Sequence, residues 1–311
     1  MDGESRDSTV DKARQILESS DFAGYKIIVK KTNIPEARNL CIKNMAGEML
    51  FFLDSDVLIE PTAIEKLVKA AVKCNCHIVS ANANSIVIRE PREMWRLLED
   101  LKRDMEDSNV VRVASAAMGH TLIHREVFTK VKFDPKLNLG EDADFCINAR
   151  EKGFNVCLHL GAKALDVNLG VSKLSDIYVY SPLLPQIRSL KKRAKAKTYG
   201  LGFRVTPIDV LKYFIQNKRY LFYLSYTLTI PLALLGLSLG NLYLVAPLLF
   251  ELVFYTSFQA KRRGIVGGTK AVILSLLVGM PLAVMMLTYS LKTITCRDTR
   301  TGSENAQCVA S

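Results

Sequence analysis

Met49-Leu50-Phe51-Phe52-Leu53-Asp54-Ser55-Asp56 is the stretch from which the rest of this chain can be read. Five apolar residues in a row read as a buried strand, and the strand ends in two carboxylates one residue apart. In an open α/β sheet, ligands bind outside the carboxyl ends of strands, so Asp54 and Asp56 stand where a site is expected. Two hard oxygen donors suit Mg²⁺ or Mn²⁺ bridging a diphosphate, with the metal neutralising charge on the leaving group. Strand-end aspartates also cap helices, and D-x-D alone leaves both readings open.

On either side of this stretch the chain alternates short apolar runs with helical patterns. Tyr25–Val29, His77–Ser80 and Val156–Leu160 read as further strands. Pro35–Met45, Pro61–Lys73, Arg92–Glu106, Arg125–Val131 and Glu141–Lys152 read as helices, with Pro61 suited to a first turn and Gly153 to a stop. Strand–helix alternation over residues 1–176 predicts a layered α/β domain with a mostly parallel, Rossmann-like sheet.

Composition changes after that domain. The net charge of +11 with 49% hydrophobic residues and a positive mean hydropathy of +0.13 points to a basic soluble part joined to apolar membrane segments. Tyr220–Phe250 carries no charge, exceeds one spanning helix in length, and has a turn at Leu237–Asn241. Ala271–Leu291 is a third uncharged segment. The expected division is a linker over 177–219, spans at 220–237, 241–258 and 271–291, and a polar tail over 292–311. The linker's basic run, Arg188–Arg204, is expected along an anionic lipid surface or as a solvated connection. That run and Lys261-Arg262-Arg263 place the α/β domain in the cytoplasm by positive-inside bias, with the tail outside. Glu251, inside the second span, is either a functional intramembrane charge or a snorkelling partner of Lys261.

No zinc-finger spacing, RNP-type aromatic run or basic-plus-heptad region accompanies the positive charge, so nucleic acid is not the expected partner. Seven scattered cysteines without a C-x-x-C pair read as buried reduced thiols of a cytosol-facing domain. Met1–Asp7 is polar and acidic and has no secretory-leader pattern.

A second acidic cluster, Gly140-Glu141-Asp142-Ala143-Asp144, opens a helix. Its carboxylates either favour the helix dipole or supply a general base for an acceptor hydroxyl. Together with MDGESRDST at the start, Ala37-Arg38-Asn39, Ala46-Gly47-Glu48, Met118–Arg125 and Phe133-Asp134, these motifs resemble, in order, those of inverting glycosyltransferases of family 2, which have the GT-A fold. The resemblance runs from Met1 to about Gly170. It implies a nucleotide-diphosphate sugar donor, a divalent metal and inversion at the anomeric carbon, often with trailing membrane helices.

Residue by residue, the resemblance makes Asp2 the contact to the nucleotide base or ribose and sets Arg38 on the nucleotide side of the pocket. It makes Asp54 a contact to ribose or metal and Asp56 a metal ligand. Asp142 becomes the catalytic base, Glu141 stands beside it at the acceptor, and Asp144 has a structural or orienting role. The chain departs from the family twice. It begins at the loop that follows the family's first strand, helix and second strand, which implies a start set too late or a sheet with a gap beside Tyr25–Val29. It also lacks the histidine that completes many metal sites, leaving Asp166 or Asn168 as an oxygen ligand, while His159 reads as a packed histidine.

The expected function is a membrane-bound glycosyltransferase acting on a polyprenyl-phosphate or glycan acceptor among membrane lipids. An inactive relative that binds a partner is the alternative, and an enzyme transferring nucleotidyl or sugar-phosphate groups on a similar fold is a third reading. Polyprenyl-phosphate mannosyltransferases usually continue the metal motif differently from Val57-Leu58-Ile59-Glu60-Pro61, which weakens that specific assignment.

Overall fold

The computed structural model describes residues 1–88, 93–101, 109–137, 139–169, 190–202, 205–217, 219–295 and 307–309. Helix α1 (Thr9–Glu18) leads to an extended segment and then to α2 (Ile34–Asn44). Helix α2 starts on a capping box, in which the Asn33 side chain accepts from Glu36 N–H and Glu36 reaches back to Asn33 N–H. Strands β1 (Met49–Leu53) and β2 (Val57–Ile59) flank the D-x-D turn, and α3 (Ala63–Lys73) follows. Strand β3 (Ile78–Ile88), α4 (Glu93–Leu101), β4 (Asn109–Arg112), β5 (His120–His124), α5 (Arg125–Lys130), α6 (Glu141–Glu151) and β6 (Val156–Leu169) complete the α/β part.

The sheet is mixed. Its order is β1-β5-β3-β6-β4, with β2 also on β6 and a terminal β7 (Gln307–Val309) on β4. Among the described residues, the β3–β6 ladder alone is parallel, from Ile78 opposite Val156 to Ile88 opposite Leu169, and the other ladders are antiparallel. The parallel expectation therefore holds for the central pair alone. The antiparallel neighbours β2, β4 and β5 are three to five residues long, too short to announce themselves by periodicity. Tyr25–Val29 is extended but is not a ladder strand. It is joined at Val29 to Asp2, with Asp2 N–H bonded to Ile28 O and Lys30 N–H to Asp2 O, and Tyr25 and Val29 stay exposed.

One core layer, built on Phe52, Ile78, Met118, Phe133 and Phe145, lies between the sheet and α2 and α6. Phe133 stacks on Phe145 with centroids 4.2 Å apart and meets Phe52 edge-on at 5.9 Å. A second layer around Leu67, Ala70, Val79 and Leu122 covers the other face under α3. Cys76 and Cys157 form a disulfide there, which corrects the reading of all seven cysteines as reduced thiols. The two residues flank the start of the β3–β6 pair, so the sheet itself brings them together across 81 positions of sequence. Cys41 and Cys146 are free thiols. His159 is buried, and its Nδ1 accepts from Gly161 and Ala162 N–H, so the ring is part of the packing.

Helix α7 (Leu190–Tyr199) occupies most of the basic run, with one side packed into the protein and Lys191 and Lys192 exposed. Leu190, Arg193, Ala194, Ala196 and Thr198 are buried. Lys192 pairs with Asp134 and Lys195 with Glu151. Helix α8 (Pro207–Gln216) follows. Helices α9 (Arg219–Ser238), α10 (Ala246–Leu274) and α11 (Met280–Thr295), with the short helical turns Leu242–Leu244 and Ser275–Gly279 beside them, make up three segments long and apolar enough to cross a membrane: Tyr220–Ser238, Leu242–Lys261 and Gly268–Leu291. The chain reverses within α10, because Gly268 abuts Thr256 O, whereas twelve residues of straight helix would separate them by roughly 18 Å. Glu251 is buried and accepts hydrogen bonds from Ser225 and Thr229 on α9. It is bonded between the helices and does not pair with Lys261.

Candidate active site

The turn after β1 is held from both sides. Asp54 N–H donates to Gly119 O at 3.0 Å, Val57 N–H to Asp54 O at 3.1 Å, and Val167 N–H to Asp56 O at 2.8 Å. Strand β2 then pairs Val57 with Asp166 on β6. The sheet thus carries Asp54, Asp56 and Asp166 to the rim of one cleft of about 490 Å³, which is also lined by Asp142, His120 and Ser80.

Helix α6 presents its first turn to the same cleft. Its N-cap is Gly140, at φ 81°, a left-handed conformation that favours glycine. Glu141, Asp142 and Asp144 fill the first turn, where the helix dipole favours negative charge. Arg38, from the middle of α2, joins this helix to the D-x-D turn. Its Nη1 donates to Asp142 Oδ1 and, at 3.3 Å, to Glu141 Oε1, and its Nη2 lies 3.7 Å from Asp54 Oδ2. The guanidinium is 8% exposed and sits 5.4 Å from the centroid of the Phe133 ring, so aromatic packing fixes the cation between the acids. Met118 N–H completes the hold on Asp142, donating to Oδ2 at 3.0 Å.

Burial and the neighbouring Asp142 push the Glu141 carboxyl up to about 7. Burial also raises Asp54, against the opposing pull of Arg38, and raises Asp144. His120 is lowered by burial and stays neutral at neutral pH.

The structure therefore brings together Arg38, Asp54, Glu141 and Asp142, with Asp56 and Asp166 on the same cleft. Arg38 bridges the two acidic motifs. Asp2 is not among the residues lining the cleft. Its carboxylate accepts from Ser5 N–H at 2.8 Å and Ser5 Oγ at 2.7 Å. The Asp144 carboxylate accepts from Asn148, and the side chain of Asn168 lies outside the described residues. Among the described residues, no three His, Cys, Asp or Glu side chains are gathered closely enough to hold a metal ion by themselves. Mg²⁺ and Mn²⁺ commonly take one or two carboxylates and complete their shell with substrate phosphate and water. The all-oxygen set of Asp54, Asp56 and Asp166 fits an ion shared with a diphosphate. Ser80 carries no sequence motif, and His120 lies in the Met118–Arg125 block, whose resemblance gave it no role of its own.

Comparison with protein families matches residues 1–132 to Glycosyl transferase family 2. No curated protein matches the chain by sequence. Among solved structures, one of GalNAc-T7 with UDP, GalNAc and Mn²⁺ is 14% identical at a TM-score of 0.40, over 61% of this chain and 42% of that one. One of S. aureus TarS is 12% identical at 0.41, over 64% and 36%, and one of TarS 1–349 in complex with UDP-GlcNAc is 11% identical at 0.40, over 64% and 60%. The chain thus spans less than two thirds of each, and these remain similarities; the assignment comes from the family match and the site geometry. Residues 1–132 of this chain match the model of Glycosyl transferase family 2, and they lie in a mixed α/β fold.

Proposed function

We propose that the chain is a membrane-bound inverting glycosyltransferase that moves a sugar from a nucleoside-diphosphate sugar to a lipid-linked or glycan acceptor. The observation that carries this reading is the Arg38 bridge, which ties the D-x-D turn to Asp142 across a single cleft. Donor diphosphate belongs at Asp54 and Asp56, with Asp166 as a further oxygen ligand for Mg²⁺ or Mn²⁺. The chemistry such an ion supplies when bound is neutralisation of charge on the departing diphosphate.

The remaining work falls to the protein's own side chains. Asp142, with Oδ1 on Arg38 and Oδ2 on Met118 N–H, is fixed in orientation and takes the proton of an acceptor hydroxyl. That oxygen forms a bond to the anomeric carbon on the face opposite the leaving group, and the carbon–oxygen bond to the nucleoside diphosphate breaks. Glu141, held protonated up to about pH 7, has a hydrogen-bond donor to offer the acceptor below that pH. A polyprenyl-phosphate acceptor is largely ionised near neutral pH and needs no base.

Three apolar helices support a membrane location. The basic residues of 188–204 and 261–263 support a cytoplasmic site, while the Cys76–Cys157 disulfide is a feature more often kept in oxidising compartments. Thermal stabilisation by UDP or GDP, with and without Mn²⁺, tests the reading. A Mn²⁺-dependent shift with one nucleotide, absent in Asp56→Ala, is expected. Ligand at 100 times its dissociation constant adds about 2.7 kcal/mol. An Asp56→Ala protein that responds as the parent does would remove the metal–diphosphate assignment.

A further inference from the structure

Three consecutive residues at the head of β5 divide the cleft between them. Met118 N–H holds the Asp142 carboxylate at 3.0 Å. Gly119 O accepts from Asp54 N–H, and a Cβ on Gly119 would lie 2.6 Å from Asp54 Oδ2, so the backbone must pass directly against that carboxylate. His120 comes next, 8% exposed, and lines the same cleft as both acids. Its Nδ1 lies 2.9 Å from Ser80 Oγ. The Ser80 hydroxyl also reaches Ala81 O at 3.2 Å, and in the arrangement where it donates there its oxygen accepts from Nδ1–H. In that arrangement Nδ1 carries the proton and Nε2 presents a lone pair.

If Asp54 marks the diphosphate and Asp142 the attacking acceptor, the ring of the transferred sugar has to lie between them. We infer that His120 is the residue that positions this sugar, with Nε2 accepting a hydrogen bond from one of its hydroxyls. The inference rests on the glycosyltransferase reading above and extends it to the specificity of the same cleft. Ser80, on β3, sets the tautomer in that arrangement. A buried acceptor built for a sugar hydroxyl also discriminates against donors lacking that hydroxyl, because the site's lone pair is then left unmet.

The test compares free UDP and GDP with UDP-glucose, UDP-N-acetylglucosamine and GDP-mannose, by thermal shift with Mn²⁺ and by donor KM, in the full-length protein. For the parent, one nucleotide sugar should stabilise more than its nucleotide alone. In His120→Ala the nucleotide response should persist, the extra response to the sugar should vanish, and the donor KM should rise about tenfold, the scale of one hydrogen bond. His120→Gln, which keeps an acceptor oxygen, should recover part of the sugar response. An unchanged sugar increment in His120→Ala overturns the inference. Loss of the nucleotide response in both variants also overturns it, assigning the ring to the diphosphate side or to packing. A parent protein stabilised by none of these compounds overturns the glycosyltransferase reading and this inference together.

Discussion

Arg38 meets Asp54 from one acidic motif and Glu141 and Asp142 from the other, and it does so almost out of contact with water. A cation shared among three acids cannot satisfy them all, and Glu141 is the one whose burial and proximity to Asp142 keep it protonated up to about pH 7. An unfolded glutamate titrates near 4.5, so between about 4.5 and 7 the folded chain holds a proton that the unfolded chain has released. Stability from this site is therefore complete below about 4.5 and is lost as pH rises through about 7. Asp54 and Asp144 are raised as well and act in the same sense. The expected outcome is a melting temperature that falls over this window, with a shallower fall in Glu141→Gln. Equal slopes in the two proteins would show that Glu141 does not hold the proton. Asp54, Asp56 and Asp142 were legible at this scale, since each closes or opens an element whose pattern is plain. His120 was not, because its meaning depends on Ser80, forty positions away, and on a register that only the folded sheet supplies.

Helix α7 adds to its basic composition a packed side that composition alone does not announce. Its lysines suggest a solvated or lipid-lying segment, yet between them lie alanines whose small size allows close packing. Ala196 stands 3.8 Å from the Cβ position of Gly140 at the head of α6, and Thr198 donates to Met286 O on α11. The helix is therefore wedged between the acid-bearing helix and the third apolar segment. Gly200, just past its end, leaves no room for a methyl group, since a Cβ there would fall 2.8 Å from Ala196 O and 3.1 Å from Ala143 Cβ. Gly200→Ala should displace the first turn of α6 at a cost of about 1–3 kcal/mol, the usual scale of overpacking. Turnover should drop while the response to nucleotide and Mn²⁺ stays, because the D-x-D turn is held by β5 and β6 instead. Unaltered turnover would mean that α7 does not set the position of Asp142. The long helices were legible from the pattern, and α2, α3 and α6 begin and end within a few residues of expectation. Strands β2, β4 and β5 were hidden because their hydrogen-bond partners lie far away in sequence.

Across the whole molecule, an acidic cleft sits in an α/β domain whose acid-bearing helix is fastened through α7 to an apolar helical region. Residues such as Leu228, Leu249, Phe250 and Val253 leave the sides of α9 and α10 exposed and apolar, as suits lipid contact. Glu251 is buried between these two helices, where Ser225 and Thr229 satisfy it. This arrangement is what the proposed reaction, of a soluble donor with a membrane-held acceptor at one site, requires. The most direct measurement follows the leaving group: purified protein in lipid is given Mn²⁺, a nucleoside-diphosphate sugar and a polyprenyl phosphate or lipid-linked glycan. The account predicts acceptor-dependent release of nucleoside diphosphate, abolished in Asp56→Ala. Asp142→Asn should slow it several hundredfold for a hydroxyl acceptor and little for a phosphate. Release of pyrophosphate, or of nothing with every donor although the nucleotide binds, would contradict it.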